Sequence, residues 1–151
     1  MITIGVFQTR CFGKNRVVAN QKHRCVILAD RHQNMLEGIR GLLETVFDSV
    51  VMVADRKSLS RAIHQMKPDL AVVDLSLNNS GEESIVHQMS AVHPGFRYII
   101  ISVHDDPVAV QEVLSSGATG YVLKRSIATD LLEAVHEVLH GHSYRSPALN
   151  V

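Results

Sequence analysis

The chain has 151 residues, 46% of them hydrophobic and 20% charged, with 15 Lys+Arg against 15 Asp+Glu. That length and apolar content suit one domain around a single core and argue against two full domains or a disordered chain. The charge balance argues against a protein that works chiefly by neutralising nucleic-acid phosphates or an anionic membrane surface.

The first 24 residues carry Arg10, Lys14, Arg16, Lys22 and Arg24 without an acid and with little periodicity, so residues 1–24 are expected to be a basic, disordered extension. From Cys25 onward a short apolar run alternates with a stretch of helical period, five times over. The expected strands are Cys25 to Asp30, Val50 to Ala54, Leu70 to Leu75, Tyr98 to Ser102 and Gly120 to Leu123. They read as continuous apolar runs, which is how a parallel strand covered on both faces reads. The expected helices are Asn34 to Val46, Ser58 to Met66, Glu82 to Val92, Pro107 to Ser116 and Ala128 to His140. In the first, Met35, Leu36, Ile39, Leu42, Leu43 and Val46 make one apolar stripe. Ser58 and Ser60 read as capping chemistry, and Asp105 and Asp106 as acids at a helix N-terminus.

Five strand–helix alternations with short connections predict an α/β fold. The expectation is a doubly wound, five-stranded parallel sheet of order 2-1-3-4-5 with helices on both faces. This domain is expected to span residues 25–141, and residues 142–151 read as the start of a linker. The longest apolar runs are about a quarter of the roughly 20 residues a bilayer requires, and no secretory segment is evident. A soluble, cytoplasmic protein with no membrane partner follows as the expectation. Cys11 and Cys25 match neither a disulfide framework nor a zinc pattern and are read as free thiols.

In an open parallel sheet, function gathers outside the carboxyl ends of the strands. The polar residues there are Asp30, Asp74, Ser102 and Lys124. A carboxylate at the end of Leu70-Ala71-Val72-Val73-Asp74 costs solvation free energy unless a cation meets it, and Lys124 can be that cation. Two carboxylates, a lysine and a hydroxyl make a cradle for a divalent metal and a phosphoryl group.

Four segments in order then carry a resemblance. They are Ile27-Leu28-Ala29-Asp30-Arg31-His32, Pro68 to Leu75, Ile99 to Pro107, and Gly117 to Lys124. Over about Arg24 to Gly141 the chain resembles the receiver domain of bacterial two-component response regulators, whose sheet is flavodoxin-like. The segment Gly141-His142-Ser143-Tyr144-Arg145-Ser146-Pro147 looks like the linker of the LuxR/NarL-type subfamily, with its helix-turn-helix output domain expected to be absent here. The resemblance implies self-catalysed phosphotransfer rather than enzymatic turnover. Asp74 would accept a phosphoryl group from the phosphohistidine of a sensor histidine kinase, Lys124 and Ser102 would bind its oxygens, and Tyr121 would be the switch aromatic. Asp30, Asp74 and the backbone carbonyl of Ser76 would hold Mg²⁺. DNA would be reached only through the output domain. Self-association is expected to be weak, through the fourth helix, fifth strand and fifth helix or through the first and fifth helices.

The sequence departs from the family pattern at Arg31, where a second acid normally ligates the metal. Arg31 either swings to solvent, leaving Asp30 and Asp74 with a weak metal site, or occupies the metal's place and pairs with Asp74. The second placement would make the chain a pseudo-receiver, a protein interaction module independent of phosphorylation and without Mg²⁺. The loop after Asp74 is one residue short and has Asn78 where a proline is usual, which alone changes little. An aspartyl phosphohydrolase would need an acid two residues after Asp74, where Ser76 stands. His136, His140 and His142 have spacing suited to zinc or nickel but read as a polar helix end.

Overall fold

The computed structural model describes residues 23–32, 36–79 and 81–150. The strands are β1 (His23–Ala29), β2 (Phe47–Val53), β3 (Leu70–Asp74), β4 (Tyr98–Ser102), β5 (Gly120–Leu123) and β6 (Tyr144–Arg145). Between them lie the helices α1 (Leu36–Leu43), α2 (Arg56–Met66), α3 (Ile85–Val92), α4 (Pro107–Ser115) and α5 (Ile127–Leu139). The strands form one sheet in the order β2-β1-β3-β4-β5-β6, and every adjacent pair is parallel. The expected order is therefore present, with one strand more than the five expected.

Successive side chains of a strand point to opposite faces, so each strand feeds two cores. Val26 and Leu28 join Ile39, Leu43, Leu131, Val135 and Val138 in the core under α1 and α5. Cys25, Ile27 and Ala29 join Leu59, Ile63, Met66, Ile85, Met89 and Val110 in the core under α2, α3 and α4. β3 is buried along its whole length, which places its last residue, Asp74, at the end of a central strand with covered faces. Among the described residues, no helix is long and apolar enough to cross a membrane.

Several boundaries differ from the sequence pattern for local reasons. β2 starts at Phe47, three residues earlier than expected, because Asp48 and Ser49 interrupt the apolar run without interrupting the ladder to β1. α1 ends correspondingly early, in a turn closed by Thr45 N–H to Leu42 O (3.2 Å) and Val46 N–H to Leu43 O (3.0 Å). Asp55, rather than Ser58, caps α2, its carboxylate accepting from the Ser58 amide at 2.8 Å. Asp106 caps α4 as its sequence position suggests, accepting from the Ala109 amide at 3.0 Å. The reading of Cys25 as a free thiol is corrected, since it is disulfide-bonded. Cys11 and the expected extension up to Lys22 lie outside the described residues.

β6 escapes the sequence pattern because it is only two residues long. Tyr144 N–H donates to Thr119 O (3.1 Å), Ser146 N–H donates to Tyr121 O (3.0 Å), and the buried Ser146 Oγ accepts from the Leu123 amide (3.1 Å). A short 3-10 turn, Pro147–Asn150, follows and places Leu149 in the core that Tyr121 also joins.

Gly117 makes the tightest backbone approach among the described glycines. Its φ is +129°, and a Cβ there would stand 2.0 Å from Ser90 Oγ. Ser90 cannot yield freely, because its hydroxyl donates to Ser116 O (2.7 Å) and meets Tyr98 Oη (3.2 Å). Gly117→Ala should therefore lower unfolding free energy by about 2–4 kcal/mol, the sum of backbone strain and overpacking. Urea unfolding of both proteins checks this, and an unchanged midpoint would contradict the packing described.

Candidate functional site

Three strand ends converge on one buried charge cluster. Asp30 follows β1 with its amide bonded to Val53 O (3.1 Å), and its side chain has no exposed surface. Asp74 ends β3 and is also buried. Lys124 follows β5, and its side chain is only 9% exposed. Its ammonium pairs directly with Asp74 Oδ2 and lies 3.7 Å from Asp30 Oδ2. At that distance Asp30 Oδ2 has charge compensation but no hydrogen bond.

The other carboxylate oxygens are held locally. Asp30 Oδ1 accepts from the His32 amide (2.8 Å) and lies 3.5 Å from His32 Nδ1. Asp74 Oδ1 accepts from the Ser76 amide (2.8 Å), so the turn Leu75–Leu77 orients the carboxylate as it leaves the strand. Asp30, His32 and Asp74 each offer one ligand atom, and all three atoms lie within 4.8 Å of one another.

These surroundings split the two carboxyls. Burial pushes Asp30 above the ordinary carboxylate range; the nearby Asp74 adds to this, while the His32 amide and Lys124 oppose it. Burial alone would push Asp74 the same way, but the Lys124 ammonium, the Ser76 amide and the neighbouring Asp30 carboxyl outweigh it and hold Asp74 low. Asp74 is thus the carboxylate kept ionised. An ionised carboxylate is the nucleophilic form.

Ser102 is buried at the end of β4, where it pairs with Leu123, the residue before Lys124. Its hydroxyl accepts from the His104 amide at 3.0 Å. Tyr121 is fully buried and donates from its hydroxyl to the His104 carbonyl at 2.8 Å. Burial raises the Tyr121 pKa and the neighbouring Ser102 opposes the rise. One backbone residue, His104, therefore holds both hydroxyls.

Of the two placements open to Arg31, the structure has the outward one. Arg31 is exposed and donates to Asn79 Oδ1 (2.6 Å), whose amide in turn donates to Glu82 Oε1 (2.6 Å). The cation on Asp74 is Lys124. Sequence reasoning had assigned no role to two residues that shape the site. His32 was legible only as a neighbour of Asp30. Arg56, at the start of α2, clamps the loop after β3 by donating to Leu77 O (3.0 Å), Gln88 Oε1 (3.0 Å) and Asn78 Oδ1 (3.3 Å). No motif marks it.

The histidines at the end of α5 and just beyond it are helix-end chemistry. His140 Nδ1 lies 2.7 Å from His136 O, and His142 Nδ1 lies 2.9 Å from Glu137 Oε1.

The model of the response regulator receiver domain matches residues 26–136, which include the whole cluster. The chain belongs to this family. It is 28% identical over 130 residues to the transcriptional regulatory protein DegU of Brevibacillus brevis, covering 85% of this chain and 55% of that protein. The oxygen regulatory protein NreC of Staphylococcus carnosus is 29% identical over 128 residues, covering 82% of this chain and 58% of that protein. The chain spans just over half the length of these relatives, namely their receiver region. Among solved structures, a LuxR-family two-component response regulator from Aurantimonas sp. SI85-9A1 superposes with a TM-score of 0.77 at 27% identity, covering 86% of this chain and 94% of that one.

The receiver's uneven carboxylates have a measurable consequence. Asp30→Asn removes the charge that burial penalises while leaving an oxygen for the His32 amide. In the presence of a chelator it should raise stability at neutral pH by on the order of 1 kcal/mol. A raised carboxyl pKa weakens the folded state above that pKa, so the gain should shrink as pH falls through it and vanish below the ordinary carboxylate range. Urea midpoints of both proteins between about pH 7 and pH 3 give the comparison. A variant less stable than the parent at neutral pH would refute the assignment.

Proposed function

We propose that this receiver accepts a phosphoryl group on Asp74 from the phosphohistidine of a sensor histidine kinase and passes the change to a transcriptional output. The observation that carries the reading is the buried, ionised Asp74 carboxylate at the end of β3, met by the Lys124 ammonium. In the transfer, an Asp74 carboxylate oxygen attacks phosphorus and the bond from phosphorus to the histidine nitrogen breaks. Its electron pair stays on the imidazole. Lys124 then compensates a phosphoryl oxygen instead of the free carboxylate.

The donors suit a divalent cation, being two carboxylates with one buried oxygen, Asp30 Oδ2, that accepts no hydrogen bond. Asp30, Asp74 and the Ser76 carbonyl would hold it, and when bound it would neutralise charge on the transferring group. For Ser102 to reach a phosphoryl oxygen, its hydroxyl must leave the His104 amide. Because Tyr121 holds the carbonyl of the same residue, that movement is felt at the aromatic ring. The name of the DegU relative is that of a transcriptional regulator, which supports a transcriptional readout for a longer protein of this type. Self-association through the α4, β5 and α5 face belongs to the same reading.

Incubation with acetyl phosphate and Mg²⁺ or Mn²⁺, read by intact mass, tests it. One added phosphoryl mass is expected on the parent chain and none on Asp74→Asn. Failure with both cations, in a chain whose circular dichroism is native, would favour the alternative of an interaction module that works without phosphate.

A further inference from the structure

The usual logic of an all-oxygen magnesium site is altered here by two neighbouring residues. With Arg31 in place of an acid and turned to Asn79, the side chains at the site are two carboxylates and one ammonium, a net charge of about −1 before any metal arrives. A hard ion such as Mg²⁺ is held almost wholly by charge and by oxygen donors, so the loss of a carboxylate weakens it most. The next residue supplies a different donor. His32 presents Nδ1 beside Asp30 Oδ1, and its side chain is 58% exposed, so it can reorient without disturbing the core.

We infer that Asp30, His32 and Asp74 form a mixed nitrogen–oxygen site, in which His32 is a ligand, that takes a borderline first-row dication of the Co²⁺ or Zn²⁺ kind in preference to Mg²⁺. This deepens the phosphotransfer reading, because it concerns the cation of the same site.

The geometry supports the grouping. Metal bonds to imidazole nitrogen and carboxylate oxygen are about 2.0–2.2 Å, so two ligand atoms on one ion lie no more than about 4.4 Å apart. The three ligand atoms already lie within 4.8 Å of one another, and the exposed imidazole can supply any closure needed. Asp30 Oδ2 is the independent mark of a ligand. It is buried, faces the cluster and accepts no hydrogen bond. Imidazole raises affinity for late first-row ions, which at a given site exceeds that for Mn²⁺, and does little for Mg²⁺.

The test is titration of the full chain with each metal alone, by calorimetry and, for Co²⁺, by visible absorption. His136→Gln, His140→Gln and His142→Gln are placed in the background so that the end of α5 contributes no nitrogen ligand. Co²⁺ should bind at least about 30-fold more tightly than Mg²⁺. His32→Ala should weaken Co²⁺ by about 10- to 100-fold, alter its ligand-field bands and leave Mg²⁺ within about 2-fold. Arg31→Asp should tighten Mg²⁺ by about 10-fold or more. Co²⁺ affinity and spectrum unchanged by His32→Ala would overturn the inference. Co²⁺ binding that depends on His32 in a chain that acetyl phosphate never modifies would instead overturn the phosphotransfer reading alone.

Discussion

The arrangement at the strand ends depends on one ammonium group between two carboxylates that have left water. Without Lys124, the ends of β1 and β3 would bring two negative charges together where burial penalises each of them, and one would have to take up a proton. With it, the charges become unequal. Asp74 takes the direct pair and stays ionised, whereas Asp30, with no hydrogen bond on Oδ2, carries the burden of burial. The sheet order makes the meeting possible, since β1, β3 and β5 all run the same way and bring the residues at their carboxyl ends together. A buried charge cluster of this kind costs stability, and the apolar faces of the five longer strands supply what offsets it.

The same edge carries a second layer of organisation. The loop after β3 is held from two sides, by Arg56 reaching across from α2 and by Asn78, whose side chain accepts from the Ile85 amide at 2.7 Å and so starts α3. Asn78 does by hydrogen bonding what a proline at this position would do by fixing the backbone. On the other side, Ser102 and Tyr121 share the peptide groups of His104. A rearrangement at Ser102 therefore has a short covalent and hydrogen-bonded route to a buried ring, without requiring motion of the sheet.

Much of this was legible in the sequence, because burial on both faces writes an unmistakable apolar run and a lone carboxylate at its end stands out. Asp74 and Asp30 stand out that way, and Lys124 as the cation at another strand end. The start of β2 was not, because backbone pairing with β1 tolerates Asp48 and Ser49 where a hydropathy pattern does not. Arg56 left no trace because its contacts are to backbone and amide groups far away in sequence. The direction of Arg31 was undecided from sequence, as a long flexible side chain has several outlets; Asn79, 48 positions on, is the one it takes. Cys25 reads as free because two cysteines form no disulfide-framework pattern, and a single bridge leaves no mark in the spacing.

The last strand has an effect on how molecules of this protein can meet. An unpaired strand edge is a template for another chain, and natural sheets must shield it. On the β5 side, the peptide groups nearest the Tyr121 ring are already occupied by Tyr144 and Ser146, and Ser146 fills the Leu123 amide with its hydroxyl because no further strand reaches it. Strand addition at β5 is thereby closed, and only β2 at the opposite margin offers a long open edge among the described residues. Contacts near the strand ends on this side must consequently be made by side chains, which are reversible and sensitive to shape and charge.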